Sequence, residues 1–193
     1  MDYETKPLTR ETIRSFVPYY RELFGVPHTG PFPVLEALEK IPDVFKGSRY
    51  EIVEDSELEP KVMAQCTPNE SGGFTIKIKE SVYVGAYENG VGAFLGFINH
   101  EICHVFLFFI GYTPIYKCSF ENNELPAYSS VEWQAKALNG EVMIPYDECK
   151  NMSKKEGYIS KMVNSRNRIN EKIIFLHVNN TEEVCNLMHS FLD

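Results

Sequence analysis

Residues 91–110 read VGAFLGFINHEICHVFLFFI, a long apolar segment that contains two histidines and one glutamate. Gly111 and Pro114 follow directly after it. Glycine and proline just beyond an apolar run are typical of helix ends. The sequence therefore predicts a helix over about Val91–Ile110, with the polar residues in its middle.

These polar residues form the pattern His-Glu-x-x-His, at His100, Glu101 and His104. Residues four positions apart lie on one face of a helix, about 6 Å apart along its axis, so two imidazoles can reach one zinc ion. Glu101 lies beside the first ligand and can act on a water molecule at the metal, which is the arrangement of zinc peptidases. The alternative is a core helix that carries two satisfied histidines.

A catalytic zinc also needs a third protein ligand and an open fourth position. The longer motif HExxHxxGxxH would supply a third histidine, but position 110 is isoleucine. Glu132 opens a second predicted helix, about Val131–Met143, and a ligand on a helix is held more rigidly than one on a loop. We therefore expect His100, His104 and Glu132 to bind one Zn²⁺ per chain, with Mn²⁺ as an alternative ion. Glu101 is the expected catalytic base.

Other carboxylates near the motif remain as alternatives for the third ligand. Glu141 is the runner-up, because it lies on the same predicted helix as Glu132. Glu121 and Glu124 fall in loop sequence and are expected to be solvated.

The segments on either side of the motif helix predict an α+β fold. An amphipathic helix is predicted over Thr9–Phe24, with Thr9 or Thr12 as its cap, and a short helix follows from about Val34 to Ile41. Three short strands are predicted at Tyr50–Val53, Val62–Cys66 and Phe74–Ile78. In the last of these, FTIKIK alternates, so one face should be buried and the other wet. We expect a small, mostly antiparallel sheet packed against helices, with a zincin-like active-site helix and a helical C-terminal part.

The length of 193 residues suits one domain, or one domain with a small appendage. We place a metallopeptidase domain at residues 1–147 and a helical extension packed on it at residues 148–193. The five cysteines form no CxxC pair, so structural disulfides are not expected. The chain starts without a signal-like segment, and its most apolar stretch, Val105–Ile110, is far shorter than the roughly 20 residues of a membrane span. A cytoplasmic protein without a membrane segment is the expectation.

The net charge of −8 disfavours direct nucleic-acid binding, which needs a positive surface. The segment Lys150–Lys172 is an exception, with seven basic residues against two acidic ones. Such a run is typical of a solvated helix face; the functional alternative is a docking surface for an acidic partner.

Two stretches, INHEICHVF and EWQAKALNGEVMIP, resemble the ImmA/IrrE-type metallopeptidase family. Members carry a HExxH helix and then a helix of the form E-x-x-A-[ND]-x-F-A-x-E-L-L-M-P, in which Glu132, Ala135 and Glu141 match. The upstream FTIKIKESVYVGAYENG resembles the strand and turn that precede the metal helix of the family. The resemblance implies an endopeptidase that cleaves a helix-turn-helix transcriptional repressor and so relieves repression.

Two positions depart from that pattern. Lys136 stands where the family has Asn or Asp, and Asn139 stands where it has Ala. The first departure removes a residue type that can hold a ligand imidazole through its second nitrogen. It favours the rival function, a metal-binding regulatory protein that does not cleave and acts by partner binding. The expectation is that Lys136 turns outwards and that Asn139 lies too far along the helix to replace the missing acceptor.

The remaining candidates concern a thiol and the oxyanion donor. Cys103, between the ligands, should point off the metal face as a buried thiol; redox sensing is the minor alternative. A donor to the developing oxyanion is expected. The candidates, among which the sequence does not choose, are Tyr83, Tyr87, Tyr112, Tyr116, Tyr128 and His177.

Overall fold

The computed structural model describes residues 3–115 and 125–146 of the chain. The helices are α1 (Arg10–Leu23), α2 (Val34–Glu39), α3 (Ile41–Val44), α4 (Glu80–Asn89), α5 (Gly92–Phe109) and α6 (Val131–Met143). The strands are β1 (Arg49–Val53), β2 (Ala64–Pro68) and β3 (Phe74–Lys79), and short 3₁₀ turns occupy Asp55–Glu57 and Ala127–Ser129. Outside the described residues lie the extension at 148–193, the basic segment Lys150–Lys172, and Glu121, Glu124, Tyr116 and His177.

The α+β class is confirmed, and the sheet is mixed. Its strand order is β1-β3-β2, with β2 antiparallel and β1 parallel to β3. The prediction of a mostly antiparallel sheet therefore holds for only one of the two strand pairs. A short turn joins β2 to β3 and imposes antiparallel pairing. The connection from β1 to β2 is longer. It allows β3, and not β2, to lie next to β1, and β3 runs parallel to β1.

The face of the central strand β3 that was predicted to be wet is covered at its two ends, which corrects that prediction in part. The side chain of Lys77, in the middle of this face, remains 38% exposed. Ile76 and Ile78 are fully buried on one side, and Thr75 and Lys79 are only 5% exposed on the other. The Nζ of Lys79 donates hydrogen bonds to the carbonyls of Glu59 and Pro60, at 2.9 and 3.2 Å. The loop before β2 thus covers one end of a face whose polar alternation, taken alone, is typical of solvent exposure.

The ten-residue helix α4 stands where the resemblance predicted a turn, so that prediction is wrong. Its sequence contains no proline, and Gly90 ends it in the left-handed conformation (φ 60°). Its start is stabilised from outside the helix, because Asp55 accepts a hydrogen bond from the backbone N–H of Ser81 at 3.1 Å. Gly85 lets the next helix approach: a Cβ there would lie 2.5 Å from the ring of Phe94 in α5.

Helix α5 is the central helix of the core. By length and composition alone its 18 residues are long and apolar enough to cross a membrane, which Val105–Ile110 by itself is not. Half of them, however, are buried inside the fold. Leu95, Ile98, Ile102 and Phe106 are at most 4% exposed and belong to the hydrophobic core. These features indicate the core helix of a globular protein.

Helix α1 packs against α6 and begins as predicted. Thr9 is the N-cap, and its hydroxyl accepts a hydrogen bond from the backbone N–H of Thr12 at 3.2 Å. The fully buried Arg21 donates from Nη1 to the carbonyl of Val142, near the end of α6, at 2.9 Å. Through contacts of this kind, α1 holds α6 against α5.

Candidate metal centre

Two helices bring the three predicted ligands together. His100 and His104 lie one turn apart on α5, and Glu132 lies in the first turn of α6. Nε2 of His100 is 3.0 Å from Nε2 of His104. The Glu132 carboxylate oxygens lie 3.3 Å from Nε2 of His100 and 3.4 Å from Nε2 of His104. One donor atom from each residue therefore converges on a single point, within 4.8 Å of the others.

The spacing of these atoms fits a zinc ion. Two donor atoms about 2.0–2.2 Å from zinc, at a tetrahedral angle, are roughly 3.4 Å apart. The separations from the two imidazoles to Glu132, each measured to a different carboxylate oxygen, are close to this value, and the separation between the imidazoles, at 3.0 Å, is slightly shorter. Two imidazoles and one carboxylate are also a donor set typical of catalytic zinc. The three residues could hold a metal ion.

The cluster is partly open to solvent. The side chain of Glu132 is 45% exposed, and those of His100 and His104 are each 15% exposed. The three side chains are therefore not sealed inside the core, and water can reach them.

Glu132 is held in the form that binds a metal. Hydrogen bonds with His100 and His104 keep the pKa of the Glu132 carboxyl well below its usual range, although partial burial acts in the opposite direction. The carboxylate is therefore ionised at neutral pH and available as an oxygen ligand.

Glu101 lies beside the ligands but does not belong to their cluster. Burial raises the pKa of Glu101, and the neighbouring His100 and His104 lower it in part. The backbone N–H of Cys66, in β2, donates a hydrogen bond to its carboxylate. Glu101 thus sits between α5 and the sheet, next to the ligands and separate from them.

The alternative third ligand, Glu141, is placed elsewhere. Its side chain is 1% exposed, and Oε1 accepts a hydrogen bond from Nε of Arg14 in α1 at 2.8 Å. It lies more than two helical turns after Glu132 on α6. The structure brings Glu132, and not Glu141, to the histidines.

Neither departure from the family pattern supplies an acceptor to the ligands. Asn139 is fully buried, and its Oδ1 accepts a hydrogen bond from Nδ2 of Asn99 at 2.7 Å. Its amide bonds to Asn99 and to the carbonyl of Gly96 and does not replace the missing acceptor, in agreement with the expectation from the sequence. Lys136 is partly exposed.

A second polar cluster lies between the helices, and the sequence analysis missed it. The hydroxyl of Tyr20 donates to Oδ1 of Asn99 at 2.8 Å; Nδ2 of Asn99 donates to Asn139, whose Nδ2 donates to the carbonyl of Gly96 at 3.1 Å. Sγ of Cys103 lies 3.8 Å from Asn99 Nδ2 and 3.9 Å from the Tyr20 hydroxyl. We call Tyr20, Asn99, Cys103 and Asn139 the amide cluster. Asn99 directly before the motif and Asn139 in place of alanine were the available signals.

Cys103 is buried, as expected. It is 0% exposed, and burial raises the pKa of its thiol well above the usual range. A thiol of this kind is rarely ionised and reacts slowly with oxidants, which disfavours redox sensing.

The structure describes four of the six candidate oxyanion donors. Tyr83 stacks on Tyr87 with ring centroids 6.2 Å apart, and Tyr112 packs against Phe16 at 5.8 Å. Tyr128 is 52% exposed in the turn before α6. These contacts do not single out one of them as the donor.

No family model, no curated protein and no solved structure matches this chain. The resemblance to the ImmA/IrrE-type metallopeptidases therefore stays a prediction from the motifs.

Proposed function

We propose that this protein is a cytoplasmic zinc-dependent endopeptidase. The observation that carries the proposal is the convergence of His100, His104 and Glu132 from two helices, with Glu101 next to His100 on α5. Packing of the hydrophobic core alone does not explain why three metal-binding side chains meet at a partly exposed point.

The residues divide the chemistry among them. His100, His104 and Glu132 would hold the ion and leave one position open. When bound, zinc supplies Lewis acidity and lowers the pKa of water at its open position to about 7. The Glu101 carboxylate takes a proton from the attacking water and passes it to the leaving amine nitrogen, for which its raised pKa is favourable.

The same face of α5 offers an apolar surface for a peptide. Phe97 lies three residues before His100, and Phe108 lies four residues after His104, so all four share one helical stripe. Both phenylalanines are 40% exposed. This arrangement supports a protein substrate with apolar side chains near the scissile bond. The resemblance suggests a helix-turn-helix transcriptional repressor as that substrate.

The decisive experiment measures metal content and cleavage together. Purified protein should contain about one zinc per chain by elemental analysis. It should cleave a helix-turn-helix transcriptional repressor from the same genome, and a chelator should stop cleavage until zinc is restored. A protein that takes up no divalent metal would refute the proposal. A metal-loaded protein that binds the repressor without cutting it would instead establish the non-cleaving regulator that Lys136 favours.

A further inference from the structure

We propose that Asn99 and Asn139 are positioning residues that set the register between α5 and α6, and with it the separation of Glu132 from His100 and His104. The inference rests on the proposed function to the extent that it takes these three side chains as metal ligands. It assigns a role to the amide cluster, which lies at the interface of the same two helices.

The ligand geometry depends on this register. Two ligands belong to α5 and the third to α6, and residues 110–130 connect the helices. A connection of this length does not by itself determine how far one helix slides along the other. A slip of one residue moves a side chain by about 1.5 Å, whereas metal–ligand distances tolerate about 0.2 Å.

Apolar packing gives little control over such a slip. The buried side chains by which these two helices contact each other are otherwise mainly apolar (Ile98, Ile102, Ala135 and Leu138). Gln134 and Glu141 of α6 are also buried, but they bond to the carbonyls of Lys6 and Tyr128 and to Arg14, none of which lies on α5. Contacts between them are non-directional and adapt to small shifts. A buried polar pair behaves differently, because a shift leaves its donors and acceptors unsatisfied.

The hydrogen bonds of the amide cluster form a chain in which each group donates to the next. The Tyr20 hydroxyl donates to Oδ1 of Asn99 and so orients its amide, with Nδ2 towards Asn139. Asn139 in turn donates to the carbonyl of Gly96, back on α5. Asn139 is thus tied to two successive turns of α5. Any slip of α6 would break both bonds in a place where Asn99 and Asn139 are 0% exposed to water.

The two polar contacts lie at different heights on the same helix pair. Asn99 immediately precedes His100 on α5. Asn139 lies seven residues, close to two turns, after Glu132 and so on the same side of α6. The amide pair is therefore one fixed point and the ligand cluster is another, about 10 Å apart along α6. When the amide pair holds α6 at one position along α5, the position of Glu132 relative to His100 and His104 is determined as well.

A positioning role and a merely stabilising role differ in their effect on the metal. Asn139→Ala should weaken zinc binding by about tenfold or more, in the range of residues that orient ligands. The measurement is competition against a chromophoric chelator on folded protein, without any peptide. The matched control is Ile41→Ala in α3, a fully buried residue that is neither a ligand nor a member of the amide cluster. This variant should melt earlier but bind zinc like the wild type.

Two further variants test the positioning role in other ways: one is a conservative change that should not unfold the protein, and the other is a double variant that tests whether Asn99 and Asn139 act together. Tyr20→Phe removes one hydroxyl without changing volume, and it should shift the visible spectrum of the cobalt-substituted protein, which reports ligand geometry. Asn99→Ala combined with Asn139→Ala should weaken zinc binding no more than Asn139→Ala alone, because either change breaks the same link.

The outcomes separate this inference from the proposed function. Wild-type zinc affinity in Asn139→Ala, or an equal loss in Ile41→Ala, would overturn the positioning role while leaving the peptidase proposal standing. A wild-type protein that binds zinc but cleaves nothing would overturn the peptidase proposal alone, provided that Asn139→Ala still weakens metal binding.

Discussion

Helices α5 and α6 meet at two polar clusters with opposite characters. The metal cluster of His100, His104 and Glu132 is partly exposed, and its donor atoms converge on one point. The amide cluster is closed to water, and its bonds run in one direction from Tyr20 through Asn99 and Asn139. The difference shows how a binding site can be told from a structural hydrogen-bond network. In a binding site the polar groups surround a position that a ligand can occupy, whereas in a structural network they bond to one another.

The sharpest test of this contrast removes a ligand. Glu132→Ala should abolish stoichiometric zinc binding and cleavage, a larger loss than the roughly 10–100-fold expected for residues that only orient ligands. Elemental analysis after dialysis against zinc measures it. The matched control is Glu141→Gln, because this buried carboxylate on the same helix pairs with Arg14 and should leave zinc content unchanged. If Glu141→Gln loses the metal and Glu132→Ala keeps it, the ligand assignment is wrong.

A second change separates metal binding from chemistry within the site. Glu101→Gln should retain zinc and the fold but reduce cleavage by about 10²–10⁴-fold, because an amide cannot accept the proton of water. Cleavage rate and zinc content are measured on the same preparation. Normal turnover in this variant would show that Glu101 is not the base.

The metal cluster was more predictable from the sequence than the amide cluster. Four-residue spacing on a helix fixes which face His100 and His104 share, so local geometry alone predicts the histidine pair, and Glu132 followed from its place at the start of the next predicted helix. The bond between Asn99 and Asn139 joins residues 40 positions apart, and no local pattern encodes such a pairing. The sequence marks Asn139 only as a departure from the family pattern near the metal ligands, and not as a partner of Asn99.

The same distinction explains the errors in the fold. The extents of α5 and α6 were predicted to within a residue or two, because each has clear end signals. The parallel pairing of β1 and the burial of Lys79 depend on where distant segments pack. Helix α4 has no start signal of its own next to it in the sequence. The residue that accepts a hydrogen bond from the backbone N–H of Ser81 in its first turn is Asp55, which lies 26 positions earlier.

A third test concerns the outer surroundings of the metal cluster. Lys136 lies four residues after Glu132, on the same face of α6, and a protonated lysine cannot accept a hydrogen bond from an imidazole N–H. Lys136→Asp should tighten zinc binding, by up to about 10–100-fold. Competition titrations of wild type and variant side by side measure the change. Lys136→Ala is the control that removes the charge without adding an acceptor. Equal affinities of all three proteins would mean that the ligands need no further acceptor.

The smallest expected effect lies in the amide cluster and appears at alkaline pH. Burial raises the pKa of the Cys103 thiol above its ordinary value of 9.0. The unfolded chain therefore loses this proton first, so stability is intact below about pH 9 and falls as pH rises further. The fall should approach about 1.4 kcal/mol per pH unit for one group.

Comparison with Cys103→Ala isolates this contribution. Because the variant lacks the thiol, the stability difference between wild type and variant should shrink between pH 8 and pH 10, by about 1 kcal/mol. Urea unfolding of the metal-free proteins measures it, and every other titrating group is common to both. Cys66→Ala is the positive control: burial raises the pKa of Cys66 too, so its stability difference from the wild type should change with pH in the same direction. A difference independent of pH would mean that the Cys103 thiol ionises as easily in the folded protein as in the unfolded chain, and the amide cluster would then be open to water.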